Sequence, residues 1–260
     1  MKKLILILLV IVSTLGFGKD KILLQGAMDL EVDKFIEKLE KPKEHEIRGF
    51  KFWTGKINGK KVVISKTEVG MVNATVSTMI AIEEFKPTMI INQGTSGGHD
   101  PKLHTFDIVL GEKSFNMGST KSNRKELGEG TNPNEWNFMV YPTTIIKDGK
   151  EKEYKYFEGD KNLLKIAQEV KYTQGKVVNG VIGSADQWNR ELDRIEYLHK
   201  TFGTSTEEME TSAAAQVAEI YDIPFLGVRI LSNIEIHNEE FSPKSGEYCQ
   251  EFVMDLIEKI

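Results

Sequence analysis

Short runs of aliphatic and β-branched residues alternate along this chain with stretches of helical spacing, and that alternation narrows the possible folds more than any other property. Lys21–Gln25, Thr88–Asn92, Phe106–Leu110, Val177–Ile182 and Phe225–Ile230 read as buried strands. Between the first two, Met28–Leu39 carries apolar residues at Leu30, Val32, Phe35, Ile36 and Leu39, the spacing of one helix face. Asn73–Phe85, Leu163–Val170, Arg190–His199, Glu208–Tyr221 and Cys249–Ile260 read as further helices, two of them closed by Pro87 and Pro224. Phe50–Ile57 and Lys60–Ser65 flank Asn58–Gly59, the pair that best supports a two-residue hairpin turn. Strands alternating with helices imply an α/β fold. The expected architecture is a single-domain, three-layer α/β/α sandwich around a central mixed, mostly parallel twisted sheet. No internal repeat or clear domain linker interrupts the 260 residues.

The first twenty residues do not fit this pattern. Lys2 and Lys3 precede an unbroken apolar run, Leu4 to Val12, and then small residues from Ser13 to Gly18. This order is that of a secretory signal peptide. The run is shorter than the about 20 residues a membrane helix needs. The expectation is a signal peptide over 1–18, cleaved near Gly18, and an exported catalytic domain over 19–260, periplasmic or secreted, with no membrane attachment after processing. Cys249 is the one cysteine, so no internal disulfide can form. The formal net charge of -5, with lysines scattered among glutamates, gives no basic stripe for a nucleic-acid backbone.

In α/β sheets ligands sit where strands pass into helices. Five stretches fall at such places: Gly26–Glu31, Gln93–Gly98 (Gln-Gly-Thr-Ser-Gly-Gly, expected as a loop), Ser184–Trp188, Glu208–Glu210 and Arg229–Asn233. Each has an ordinary reading by itself. Glu31 in a first helical turn is favoured by the helix dipole. The glycines could form any tight turn, and they lack the Lys-Ser/Thr ending of a phosphate-binding loop. Glu208 and Glu210 could be an acidic pair at a helix start, Trp188 a core residue, and Arg229 a salt-bridge partner. His45, His99, His104, His199 and His237 show no metal-ligand spacing, although His99 and His104 follow the glycines closely enough to touch a substrate.

Taken together, Gly26-Ala27-Met28 with Glu31 and Val32, Ile91–Gly98, Phe106–Val109, Met209-Glu210 and Val228–Ser232 resemble the methylthioadenosine/S-adenosylhomocysteine nucleosidase family of the purine nucleoside phosphorylase superfamily. The resemblance runs from about Lys21 to Ile260. It implies a nucleoside phosphorylase-like fold, a purine nucleoside as small-molecule ligand, hydrolysis of the N-ribosidic bond, no cofactor, no metal and a homodimer. It implies that Glu31 orients and deprotonates the attacking water, with Thr95 and Arg229 helping to hold water or ribose. By the same resemblance Glu210 binds the 2′- and 3′-hydroxyls and Met209 packs beneath the sugar. Trp188 stacks on the base, groups near Asn189 read its edge, and Gly97 and Ser232 belong to the binding site. Met28 and Val69 match positions near the 5′ pocket. Phosphorylase members usually carry a phosphate-binding arginine in the early loop, and this chain has none there.

Asn233 departs from the family pattern, which has an aspartic acid able to protonate purine N7. An amide supplies no proton, and losing a general acid costs on the order of 10²–10⁴ in rate. Three readings stay open: a 6-oxopurine substrate, as in superfamily members that resemble this chain in carrying Asn; an adenine nucleoside such as methylthioadenosine, cleaved slowly or with Asp186 as the acid; or binding without turnover, as in storage-type members. A phosphorylase is the remaining alternative. Residues 112–160 form a long excursion, with Trp136–Tyr141 as an expected edge strand. Phe115, Met117, Trp136 and Phe138 are candidates to line the 5′ side or a subunit contact.

Overall fold

The computed structural model describes residues 21–260; the expected signal peptide lies outside the described residues. The chain opens with β1 (Lys21–Gly26) and α1 (Asp29–Glu37). Three antiparallel strands follow, β2 (Glu40–Ile47), β3 (Phe50–Ile57) and β4 (Lys60–Lys66), then α2 (Met71–Phe85), β5 (Met89–Gly98) and β6 (Ile108–Asn116). The excursion holds two small ribbons, β7 (Thr120–Lys121) with β8 (Asn137–Phe138), and β9 (Thr143–Lys147) with β10 (Lys150–Tyr154). Next come β11 (Phe157–Glu158), α3 (Lys161–Gln168), β12 (Val177–Ser184), α4 (Leu192–Phe202) and β13 (Thr204–Glu208). The chain ends with α5 (Thr211–Ile220), β14 (Phe225–Asn233) and α6 (Lys244–Lys259).

The expected three layers are present. β1 and β14 are buried on both faces, as strands in parallel pairings usually are. On one side Val32 and Phe35 of α1, Leu163 of α3 and Phe252 and Leu256 of α6 pack against the sheet. On the other, Ala81 and Ile82 of α2 meet Ala214, Val217 and Ala218 of α5. The hairpin at Asn58–Gly59 forms, with positive φ at both residues (51° and 74°) as that turn requires.

The sheet also does something its apolar runs do not announce. β14 pairs in parallel with β5 and antiparallel with β6, while β6, β12, β13 and β5 are paired in succession. These five strands therefore close a ring. The closing contact is short: Thr206 and Glu207 of β13 stand opposite Gly98 and Gly97 of β5.

Ring closure explains several differences from the sequence reading. Gln93–Gly98 is not a loop but the end of β5, because β13 and β14 supply partners there. Glu208 ends a strand rather than starting a helix. Thr204–Glu208 is wholly buried despite its polar composition, since its side chains find partners: Thr206 Oγ1 donates to Gly97 O at 2.7 Å. β2 was not expected; its charged, exposed sequence suits a sheet edge. Only Asn137–Phe138 of the expected strand at Trp136–Tyr141 pairs, and Phe115, Met117 and Phe138 join an aromatic cluster with Tyr141 and Phe202.

A buried polar chain runs across the middle strands. Gln25 accepts from Asn92 Nδ2 at 3.3 Å, and Asn92 Oδ1 accepts from Arg229 Nη2 at 2.6 Å. Arg229 donates through Nε and Nη2 to Glu208 Oε2, at 3.1 and 2.6 Å. Arg229 is 1% exposed, so it has no access to solvent as an alternative partner. Removing one member of such a pair strands the other charge in a dry interior. Arg229→Met should therefore destabilise the protein by about 3–5 kcal/mol. Urea unfolding at neutral pH measures this, and a loss well under 1 kcal/mol would show that the pair does not hold the ring.

Candidate active site

The fold gathers the motif residues around one cavity of about 360 Å³. Met28, Glu31, Val69, Thr95, Gly97 and Trp188 line it, as do Met209, Glu210, Ser232 and Asn233. They come from the ends of β1, β4, β5, β12, β13 and β14 and the loops or helix starts that follow, the positions ligands occupy in α/β sheets.

Glu31 sits in the first turn of α1 and folds back on its own helix start. Its Oε2 accepts from the backbone N–H groups of Ala27 and Met28, at 2.8 and 3.1 Å. Its Oε1 accepts from Thr95 N at 2.7 Å and Thr95 Oγ1 at 2.9 Å. The approach to β5 is close because residue 94 is glycine: a Cβ there would lie 2.8 Å from Glu31 Oε1. Three of the four donors are fixed backbone groups. The Thr95 hydroxyl alone can rotate, so a water can exchange with it at the carboxylate.

Glu210 faces the same space. Its Oε1 accepts from Gly70 N at 2.9 Å, and its Oε2 lies 3.9 Å from Arg229 Nη2. Burial pushes its carboxyl up to about 8; the neighbouring Glu208 and Glu31 carboxylates push the same way, while Arg229 and the Gly70 N–H oppose them. Glu208 is the contrasting case. Burial disfavours its charge too, but Arg229 and hydrogen bonds from Ser184, Thr211 and Glu210 together hold its carboxyl below the usual range.

At the other end of the cavity, Ser232 Oγ lies 3.1 Å from both Ser96 O and Asn233 Oδ1. With the Asn233 oxygen assigned toward this hydroxyl, its amide N–H₂ is left to donate. Trp188 and Phe241 also line the cavity and keep much of their surface exposed, 58% and 43%.

Several residues expected at the site from the sequence do not line the cavity. Arg229 lies behind its wall, committed to Glu208 and Asn92. Asn189 is set back as well: its backbone N and its Nδ2 donate to Glu207, at 2.7 and 2.6 Å. Asp186, the alternative acid, accepts from Met71 N at 2.8 Å at the start of α2. Phe115, Met117, Trp136 and Phe138 do not reach the cavity. His99 is buried behind it, and His104 is paired with Glu239 at the surface. Sequence reasoning missed Glu207 and Phe241. Glu207 lies in a polar run that gives no strand signal, and Phe241 follows a polar turn. Among the described residues no cluster of His, Cys, Asp and Glu could hold a metal ion. Cys249 is a poor nucleophile, its thiol pushed up to about 12 by burial.

Comparison with known proteins fits this geometry. The family model described as the phosphorylase superfamily matches residues 21–258. A 5′-methylthioadenosine/S-adenosylhomocysteine nucleosidase of Psychromonas ingrahamii is 30% identical over 249 residues, 92% of this chain and 99% of that relative. A nucleosidase of the same description from Bacillus licheniformis is 29% identical over 248 residues, 92% of this chain and 99% of its own. Among solved structures, the nucleosidase of Colwellia psychrerythraea in complex with adenine superimposes with a TM-score of 0.75 at 24% identity, covering 93% of this chain and 96% of that one. The futalosine hydrolase of Helicobacter pylori gives a TM-score of 0.76 at 22% identity, covering 93% and 99%.

The raised Glu210 carboxyl sets a pH dependence. Between its ordinary value of 4.5 and about 8, the folded protein keeps a proton there that the unfolded chain has released. The stability tied to this group is thus complete at low pH and is lost as pH rises toward 8. The melting temperature of Glu210→Gln relative to the parent should climb across that interval and level off above it. A constant difference from pH 4.5 to 8 would refute the assignment.

Proposed function

This chain belongs to the phosphorylase superfamily and, within it, to the 5′-methylthioadenosine/S-adenosylhomocysteine nucleosidase family, and from that premise we propose that it hydrolyses the N-ribosidic bond of a 6-oxopurine nucleoside. The observation that carries this reading is the placement of Glu31 and Glu210 in one cavity, on residues far apart in the chain. Glu31 orients a water near the anomeric carbon and takes its proton as the bond breaks. Glu210 accepts from the secondary hydroxyls and fixes the sugar; once its carboxyl has lost its proton, as pH rises through about 8 in the free protein, it also feeds negative charge toward the developing oxocarbenium. Met209 lies beneath the ring and Trp188 covers the base.

Hydrolysis is favoured over phosphorolysis by the charge of the cavity. Glu31 and Glu207 bring carboxylates to its wall, Glu208 beside them is balanced by Arg229, and among the described residues no lysine or arginine lines it. A phosphate anion would meet like charge with no cation to offset it.

The base follows from Asn233. Its amide N–H₂ offers two donors. A 6-oxopurine presents two acceptors on one edge, N7 and O6, whereas adenine presents an acceptor at N7 and a donor at N6. Hydrogen bonds to N7 and O6 strengthen as charge collects on the departing purine, which leaves as an anion and takes its proton from solvent, while Glu31 returns to solvent the proton it took from the attacking water.

A panel of inosine, guanosine, adenosine and methylthioadenosine, with and without phosphate, tests this by chromatography of the free base. The expected result is base release from inosine or guanosine, unaffected by phosphate and lowered about 10²–10⁴-fold in Glu31→Gln. Asn233→Asp should shift preference toward adenine nucleosides. Ribose 1-phosphate formation would establish a phosphorylase, and tight binding without base release over hours a non-catalytic protein.

The expected homodimer has a candidate surface. Val72, Val76 and Met79 form an exposed stripe along α2, with Ile220 of α5 beside it, and Met71, Ala213 and Val217 line a shallow groove between the two helices. This apolar face continues to Val69 at the cavity rim, so a second copy seated on it would also narrow the site. Val76→Glu with Met79→Glu should turn the dimer into a monomer in light scattering; a parent chain that is already monomeric would exclude the arrangement.

A further inference from the structure

Glu207, Glu208 and Glu210 bring three carboxylates to one end of β13, and the reading above uses two. Glu208 binds Arg229 and Glu210 faces the sugar. Glu207 is left over, although it lines the cavity and is only 4% exposed.

Its surroundings are built. Oε1 accepts from Asn189 N at 2.7 Å, Oε2 accepts from Asn189 Nδ2 at 2.6 Å, and His99 Nε2 lies 3.2 Å from Oε2. A carboxylate offers about four acceptor directions. Asn189 fills two and His99 Nε2 stands close enough to Oε2 to take a third, so one acceptor direction remains on a buried group that borders the cavity. Burying a carboxylate with open capacity is costly unless something occupies it.

The sheet register shows what Glu207 faces. Gly97 of β5 is the partner of Glu207 on β13 and of Asn233 on β14. A Cβ built on Gly97 would lie 3.6 Å from Glu207 Cγ and 3.6 Å from Asn233 Nδ2. The two side chains thus lean over the same bare glycine from opposite sides, about two strand spacings of ~4.8 Å apart at the backbone. A flat base laid on Gly97 has a donor at one edge and an acceptor at the other.

We propose that Glu207 is a specificity-determining residue that accepts the N1–H of a 6-oxopurine, and the 2-amino group when the base is guanine, while Asn233 donates to the N7/O6 edge. This rests on the 6-oxopurine reading of Asn233. The chemistry separates the two purine classes. N1 of hypoxanthine or guanine carries a hydrogen, whereas N1 of adenine is a bare lone pair that a carboxylate repels. A site built around such a hydrogen rejects an analogue lacking it strongly, because its buried acceptor is left unpaired.

The test compares inosine, 1-methylinosine and adenosine as substrates of the full chain and of Glu207→Gln. With the parent protein, 1-methylinosine should be cleaved with kcat/KM about 10²-fold or more below that of inosine. In Glu207→Gln the amide can turn its N–H₂ toward an unprotonated N1, so the inosine-to-adenosine preference should fall by about tenfold or more. Cleavage of 1-methylinosine as fast as inosine overturns the assignment with no mutation involved. So does a Glu207→Gln protein that loses inosine and adenosine cleavage in equal proportion, the result a purely structural role gives. A parent protein that prefers adenosine overturns the 6-oxopurine reading itself and this inference with it; a parent that prefers inosine but fails the other two comparisons overturns only the role of Glu207.

Discussion

The ion pair between Arg229 and Glu208 holds the site together from behind. Glu208 Oε2 accepts from Arg229 and also from the backbone N–H groups of Glu210 and Thr211, at 2.9 and 2.8 Å. One carboxylate oxygen therefore joins β14, the end of β13 and the start of α5. Taking two charges out of water costs several kcal/mol per ion, which attraction alone offsets only with full hydrogen bonding. Here the bonding is dense. Asn92, Val228 and Glu208 engage Arg229, and Ser184 donates to the second oxygen of Glu208. The geometry that satisfies this pair also points Glu207 to one part of the cavity and Glu210 to another. The pair explains why an arginine that belongs to the site motif does not touch the cavity: it acts as the fixed point about which three strand ends are arranged.

That arrangement concentrates negative charge. The cavity collects carboxylates and the Arg229 guanidinium is committed to Glu208, so the other acids are only partly compensated. The raised Glu210 carboxyl is the consequence, driven first by burial and then by Glu208. A site of this kind suits a reaction that builds positive charge on a sugar, because the field is in place before the bond breaks. It is unsuited to an anionic co-substrate. The preference for water over phosphate and the stabilisation of an oxocarbenium thus have one electrostatic origin.

How much of this was legible in the sequence depended on whether burial was apolar. β1, β5 and β14 announce themselves through Leu23, Leu24, Ile90, Ile91, Val228 and Ile230, and Asn58–Gly59 announces its hairpin. β13 does not. Thr204–Glu208 is as buried as any strand, yet hydrogen bonding rather than hydrophobicity keeps it there, so Thr204–Glu207 gives no element signal and Glu208 alone reads as a helix start. With β13 unseen, ring closure, the strand character of Gln93–Gly98 and the position of Glu207 were all out of reach. Glu31, Glu210 and Asn233 were found through short motifs, and the cavity does contain them. Arg229 was found too, but from sequence a ligand-holding guanidinium and one locked into the wall look the same.

In the proposed reaction Glu31 combines a structural job with a chemical one. Its contacts with Ala27 and Met28 are those of an acidic residue capping its own helix, an arrangement that needs no functional explanation. Such a cap would satisfy the helix equally well facing solvent. What distinguishes it is the second pair of contacts, to Thr95 on a different strand, and the absence of a side chain at Gly94 that lets the carboxylate come so close. The helix start fixes the carboxylate from one side and β5 fixes it from the other. Its position is therefore set by folding, with a single rotatable hydroxyl left for exchange with water. Preorganisation of this kind means that little reorganisation remains when substrate binds, which is how a cavity wall made of ordinary capping and sheet interactions becomes a catalytic surface.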